Sequence, residues 1–163
     1  MAQERPEINF IGVEVVEEIV LSALRRMERE TGIPSNLRLI WLNAERLETI
    51  FANQEVQRIY LNFSDPWPKY KHRKRRLTHG NFLKQYEQIL ADNGEIHLKT
   101  DNQGFFEFSL NELAAYQWQL KNIQLDMYRK LPKDNVATEY ELKFVAQNLP
   151  IYRLEAIKPI YNK

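Results

Sequence analysis

Asp65, Trp67 and Lys69 occupy alternate positions of the stretch Leu61–Arg76, LNFSDPWPKYKHRKRR. Behind them Lys69, Lys71, Arg73, Lys74, Arg75 and Arg76 place six cations in eight positions, with His72 among them. A carboxylate can accept hydrogen bonds from donors on a base or a sugar. A proline-stiffened Trp can stack on a displaced base, and concentrated cations can neutralise a phosphate backbone. Together they point to an enzyme that acts on nucleic acid. Each has an ordinary alternative: Asp-Pro favours a turn, a Trp between two prolines can cap a sheet, and charge runs are usually solvated surface.

Other polar residues fall where strands end, and strand ends are where open α/β sheets keep their ligands. Glu14 stands near the end of the run INFIGVEV (8–15), a position from which an acidic side chain can hold ribose hydroxyls. It could equally be an exposed acid favoured by a helix dipole, a task open to Glu17 and Glu18 as well. Asn43 follows Leu37–Leu42, and Asp101 follows Glu95–Lys99, where it could also be a helix N-cap. Thr138, Glu139, Tyr140 and Glu141 read T-E-Y-E, a capping-box pattern. His72, His79 and His97 lack metal-ligand spacing, so no metal is expected.

The elements that must carry these residues alternate. Apolar strand-like runs cover 8–15, 37–42, 56–63 and 95–99. Helical spacing covers Val16, Val20, Leu24 and Met27, with Gly32 and Pro34 as stop signals. A short helix is expected over 44–52 with Leu47, Ile50 and Phe51 inward. Further helices are expected around Phe82, Tyr86, Ile89 and Leu90, ending at Asp92-Asn93-Gly94, and over 104–116. Late strands over 118–127 and 151–157 flank a loop over 129–137. Alternating strands and helices predict an α/β fold with a mostly parallel sheet and an antiparallel C-terminal edge.

The composition suits one domain spanning 1–163: 163 residues, 44% hydrophobic, without a membrane-length apolar run or signal-peptide pattern. That makes the cytoplasm the expected location. With no Cys, disulfides, zinc-thiolate sites and cysteine nucleophiles are excluded. The net charge is +1, from 23 basic and 22 acidic residues; without the six cations of the run the balance is 17 against 22, or −5. Positive charge is thus concentrated in one docking patch. The five glycines, at 12, 32, 80, 94 and 104, are too scattered to form a phosphate-binding loop. This argues against a dinucleotide-dependent oxidoreductase.

The run NFSDPWPK with its basic tail, EIHLKTDN (95–102) and TEYELKF (138–144) resemble the bacterial tRNA (guanine-N7-)-methyltransferases. The resemblance covers nearly the whole chain and implies a Rossmann-like class I methyltransferase fold. It also implies S-adenosylmethionine as cofactor, tRNA as partner and a variable-loop guanine as target. It marks Asp65 as catalytic and cofactor-contacting, and Glu14 and Asn43 as cofactor contacts. Lys69, Asp101 and Thr138, Glu139, Tyr140 and Glu141 become substrate contacts. Lys71, His72, Arg73, Lys74, Arg75 and Arg76 become the RNA-binding segment. In that family the sheet begins with a strand bearing an E-I-G-x-G-x-G-type motif. This chain opens about one βα unit later, so the resemblance implies an N-terminally truncated domain without the central strand and cofactor loop. Expected forms are the active enzyme, as monomer or homodimer, or an RNA-binding remnant that has lost catalysis.

Overall fold

The computed structural model describes residues 1–133 and 135–160, which divide into two compact units, Met1–Ile50 and Phe51–Lys163. In the first, strands β1 (Phe10–Glu14) and β2 (Leu37–Trp41) pair in parallel from Phe10↔Leu37 to Glu14↔Trp41. Parallel neighbours need a crossover, and helix α1 (Glu17–Glu30) supplies it. Gly12 leaves room for β2's side chains: a Cβ there would lie 2.6 Å from Leu39 Cδ2, and the leucine would have to move. The Asn36 amide nitrogen ties the entry to β2 to the preceding chain through the carbonyls of Ala2, Arg5 and Ile8, at 3.0, 2.9 and 2.7 Å. The helix expected over 44–52 is a shorter 3₁₀ turn, Ala44–Thr49, broken by non-helical Arg46. Only Leu47 of its expected inward residues is buried within this unit, while Ile50 is exposed.

The second unit is a four-stranded sheet in the order β3 (Val56–Asn62), β4 (Leu90–Thr100), β6 (Tyr152–Ile157), β5 (Gln119–Gln124). β3 and β4 are parallel, and β6 runs antiparallel to both β4 and β5, the expected antiparallel edge. Helices α2 (Gly80–Ile89) and α3 (Gln103–Ala115) pack on each other, and α3 contacts β4, β5 and β6. Along β4, buried Ile96 and Leu98 alternate with half-buried Glu95 and His97, so the sheet has an apolar side and a polar side. Phe82, Leu83, Tyr86, Ile89, Phe105, Phe106, Leu113, Leu154 and Ala156 complete the core.

Two boundaries differ from the pattern reading. β4 starts at Leu90, directly after α2, and bulges: Val56 pairs with Leu90 but Arg58 with Glu95. The strand expected over 118–127 runs only from Gln119 to Gln124, with a register slip between Lys121 and Gln124, where Asn122 turns to φ 51°. A 3₁₀ turn (Met127–Lys130) follows, then the loop expected over 129–137, of which Asp134 lies outside the described residues. Helix α4 (Glu139–Val145) then starts from Thr138.

Candidate functional site

β3 delivers Asp65 through a strained turn. The pairing runs one residue past the strand, Phe63 N–H donating to Lys99 O at 2.8 Å. Phe63 (φ 53°) and Trp67 (φ 42°) then both adopt left-handed backbone, around Ser64-Asp65-Pro66. Bulky residues avoid that region, and strain of this kind concentrates at functional sites. Asp65 is exposed, and among the described residues its carboxylate has no partner.

The turn is held from behind by its own cationic tail. Arg76 donates to Trp67 O through Nη2 at 3.1 Å and Nε at 3.4 Å, and its guanidinium lies 4.4 Å from the Phe108 ring centroid on α3. Arg75 sits 4.8 Å from the Trp67 ring centroid, and His72 packs against the same ring at 5.8 Å. Trp67 is thus occupied as a brace, a task closer to the sheet-capping alternative than to base stacking. The 3₁₀ turn Tyr70–Arg75 presents Lys71, Lys74 and Arg75 to solvent, with Lys69 just before it. None of the six cations pairs with a carboxylate among the described residues.

Asp101 stands beyond β4, the parallel neighbour of β3. Asn102, not Asp101, caps α3, its Oδ1 accepting from Phe105 N–H at 2.8 Å. Asp101 is left with its charge directed at Tyr140, whose hydroxyl pKa is raised by burial and by that charge. The Tyr140 ring packs on Phe63 at 5.0 Å and on Phe144 at 4.8 Å. The 138–141 segment is thereby drawn to the strand ends that carry Asp65 and Asp101.

That segment is fixed by a buried hub the sequence did not reveal. Lys99 Nζ, near the end of β4, donates to Glu141 Oε2 (2.7 Å), Asn135 Oδ1 (3.1 Å) and Val136 O (3.2 Å). Glu141 Oε1 accepts from Tyr128 Oη (2.8 Å) and Asn135 Nδ2 (3.0 Å). Thr138 and Glu141 close the capping box. Glu141 is fully buried; burial works to raise its carboxyl, and hydrogen bonds from Lys99, Asn135 and Tyr128 pull it below its ordinary value. Burial and the Glu141 carboxylate push the Tyr128 hydroxyl up to about 12. Thr138 and Glu141 are thus engaged in the cap and the hub, while Glu139 and Tyr140 are exposed.

On the polar side of the sheet, Glu95, His97 and Glu155 bring ligand atoms within 4.8 Å of one another. Histidine spacing in sequence conceals this grouping, because the β4–β6 register creates it by opposing His97 and Glu155. Its oxygens are already engaged. His97 Nε2 and Lys121 Nζ meet the Glu95 carboxylate at 2.7 and 2.5 Å, and Arg58 Nη2 lies 3.3 Å from it. Arg153 and Asn122 hold Glu155. Three cations, Arg58, Lys121 and Arg153, outnumber the two carboxylates, so a divalent ion would meet net repulsion, and we read the cluster as an ion-pair network.

This network predicts acid sensitivity. Burial would raise the Glu95 carboxyl, but hydrogen bonds from Lys121 and His97 hold it at about 2. Burial lowers the His97 imidazole, opposed by its bond to Glu95 and reinforced by Arg58. Both groups therefore bind protons more weakly when folded. The His97 contribution is complete above about pH 6.5 and declines as pH falls; that of Glu95 is complete above about pH 4.5 and declines toward pH 2. Melting temperature followed by circular dichroism is expected to drop through both windows. Glu95→Gln should flatten the lower one, and an unchanged acid limb in that variant would contradict the assignment.

Glu14 and Asn43 stand at the carboxyl ends of β1 and β2 in the first unit. Glu14 Oε1 accepts from Val16 N–H at 2.9 Å, which leaves its second oxygen available. Asn43 caps the 3₁₀ turn, its Oδ1 accepting from Glu45 N–H at 2.9 Å. Acceptors at strand ends suit the ribose and adenine of a nucleoside cofactor. No glycine cradle for its remaining half occurs among the described residues.

The family described as "Putative methyltransferase" matches residues 1–154. The tRNA (guanine-N(7)-)-methyltransferase of Lysinibacillus sphaericus is 54% identical, over 96% of this chain and 72% of that protein. The enzyme of the same name from Geobacillus kaustophilus is 52% identical, over 98% of this chain and 72% of that protein. The crystal structure of geranyl diphosphate C-methyltransferase from Streptomyces coelicolor, a complex that includes S-adenosyl-L-homocysteine, superposes with a TM-score of 0.59 at 16% identity. It covers 98% of this chain and 66% of that one. This likeness shows the fold, a Rossmann-like methyltransferase fold.

Proposed function

Because the chain belongs to the tRNA (guanine-N(7)-)-methyltransferase family, we propose that it methylates N7 of a guanine in the variable loop of tRNA, with S-adenosylmethionine as the methyl donor. One observation carries the site: an un-neutralised cationic turn follows directly on the strained turn that exposes Asp65. The cofactor supplies an electrophilic methyl group. Guanine N7 offers a lone pair and no proton, so the chain needs no general base. Its tasks are alignment and electrostatics.

Glu14 would accept from the ribose hydroxyls, and Asn43 would meet the adenine through whatever its cap leaves free. Asp65 and Asp101, acceptors past adjacent strands, suit the N1–H and N2–H₂ donors of guanine. A carboxylate beside the ring also favours the positive charge that the purine acquires. Lys69 suits guanine O6 or a neighbouring phosphate. Lys71, Lys74 and Arg75 reach phosphates, with Arg73 and His72 beside them, and Arg76 serves the turn itself. No helix among the described residues is long and apolar enough to cross a membrane, and a tRNA substrate suits a cytoplasmic enzyme.

The test is tRNA binding against KCl concentration. Changing Lys71, Lys74 and Arg75 together to Ala should shrink the log–log salt slope by about 2 to 3, the range for three lost phosphate contacts. Arg76→Ala should instead lower the melting temperature. An unchanged slope in the triple variant would mean that RNA docks elsewhere. Intact tRNA binding with no methyl transfer at saturating cofactor would favour the RNA-binding remnant.

A further inference from the structure

Among the aromatic residues around the basic turn, Trp67 is braced by Arg75 and His72, Phe108 lies between Arg76 and His79, and Tyr140 packs on Phe63 and Phe144. Tyr70 differs. It is 75% exposed, sits at the start of the 3₁₀ turn between Lys69 and Lys71, and meets no other ring among the described residues. The Arg73 guanidinium stands 4.2 Å from its ring centroid, covering one face. A flexible phenol is thereby held as a flat plate, and its high exposure leaves the other face to solvent. An apolar plate of this size costs free energy in water unless something covers it.

We infer that Tyr70 is a stacking platform for an unpaired nucleobase of the bound tRNA, an inference that rests on the reading of this turn as the tRNA-docking element. Every base has a π-face, so such a platform adds affinity without reading sequence. The cation behind the ring adds to the attraction for a polyanion. Lys69 and Lys71 on either side would take the phosphates flanking the stacked base. Recognition at the turn therefore has two parts, a salt-sensitive one from the cations and a salt-insensitive one from Tyr70.

The test combines tRNA affinity with a fluorescent RNA. Tyr70→Ala should weaken tRNA binding about 5- to 150-fold, the range for losing one stacked base, and leave the salt slope parallel to wild type. Tyr70→Phe keeps the plate and should bind within about twofold of wild type. A single-stranded RNA about ten nucleotides long, a length such sites accommodate, carries 2-aminopurine for its adenines. Its fluorescence should be quenched by wild type and Tyr70→Phe but not by Tyr70→Ala. Salt-dependent tRNA binding by wild type that Tyr70→Ala matches, with quenching retained, would overturn the platform alone. Failure of wild type to bind tRNA, or binding indifferent to salt, would overturn the docking reading and the platform with it.

Discussion

Asp65→Ala should lower methyl transfer to tRNA by about 10²- to 10³-fold, the scale for removing one preorganised electrostatic group, while tRNA affinity changes little. The two effects separate because the cations proposed to hold the RNA lie C-terminal to the turn, and Asp65 takes no part in bracing it. Trp67 is fixed by Arg75, Arg76 and His72 instead. An exposed side chain without a partner also leaves stability nearly unchanged when removed. Asp65→Asn keeps an acceptor but loses the charge, so it should fall between wild type and Ala in kcat. Turnover within a few-fold of wild type in both variants would remove Asp65 from the chemistry. Loss of tRNA binding in proportion to activity would make it a docking residue.

Lys99→Met should destabilise the second unit by about 3–5 kcal/mol, because Glu141 would be left charged and fully buried without its cation. The matched double change, Lys99→Met with Glu141→Leu, removes both charges and should recover most of that loss. Urea unfolding of the four forms gives the coupling energy directly. Near-additive single and double changes would show that the pair is not an energetic unit. The double variant also asks what the hub does for function. If it positions the 138–141 segment, stability recovers while KM for tRNA stays high, since Tyr140 no longer has its fixed partner at Phe63. Recovery of both would reduce the hub to a purely stabilising role.

Local signals were legible in the sequence. The capping box at Thr138 and Glu141 depends on residues three apart, and it forms as spelled. The β-branched and apolar runs over 8–15, 37–42 and 56–63 became β1, β2 and β3, because such residues favour a pleated backbone whatever pairs with it. The antiparallel edge followed from two late strands without a full helix between them. What stayed hidden was set by pairing between distant segments. Lys99 read as the polar end of a strand, and only the approach of residues 135–141 makes it the centre of a buried hub. The Glu95–His97–Glu155 cluster exists through the β4–β6 register, which no local pattern announces. Asp101 read as a possible helix N-cap, and the fold gave the cap to its neighbour Asn102. Trp67 suggested a base-stacking surface by its residue type, yet two side chains from the following turn already claim its ring.

In the proposed reaction a guanine N7 meets the strand-end carboxylate while the basic turn grips the same tRNA. The most direct test compares two transcripts of one tRNA, one unmodified and one with 7-deazaguanine at its variable-loop guanines, using labelled S-adenosylmethionine at saturation. Both should bind equally, since phosphates and stacking are untouched, and only the unmodified transcript should take up label. Equal labelling of the two would place the methyl group on another atom and contradict the account.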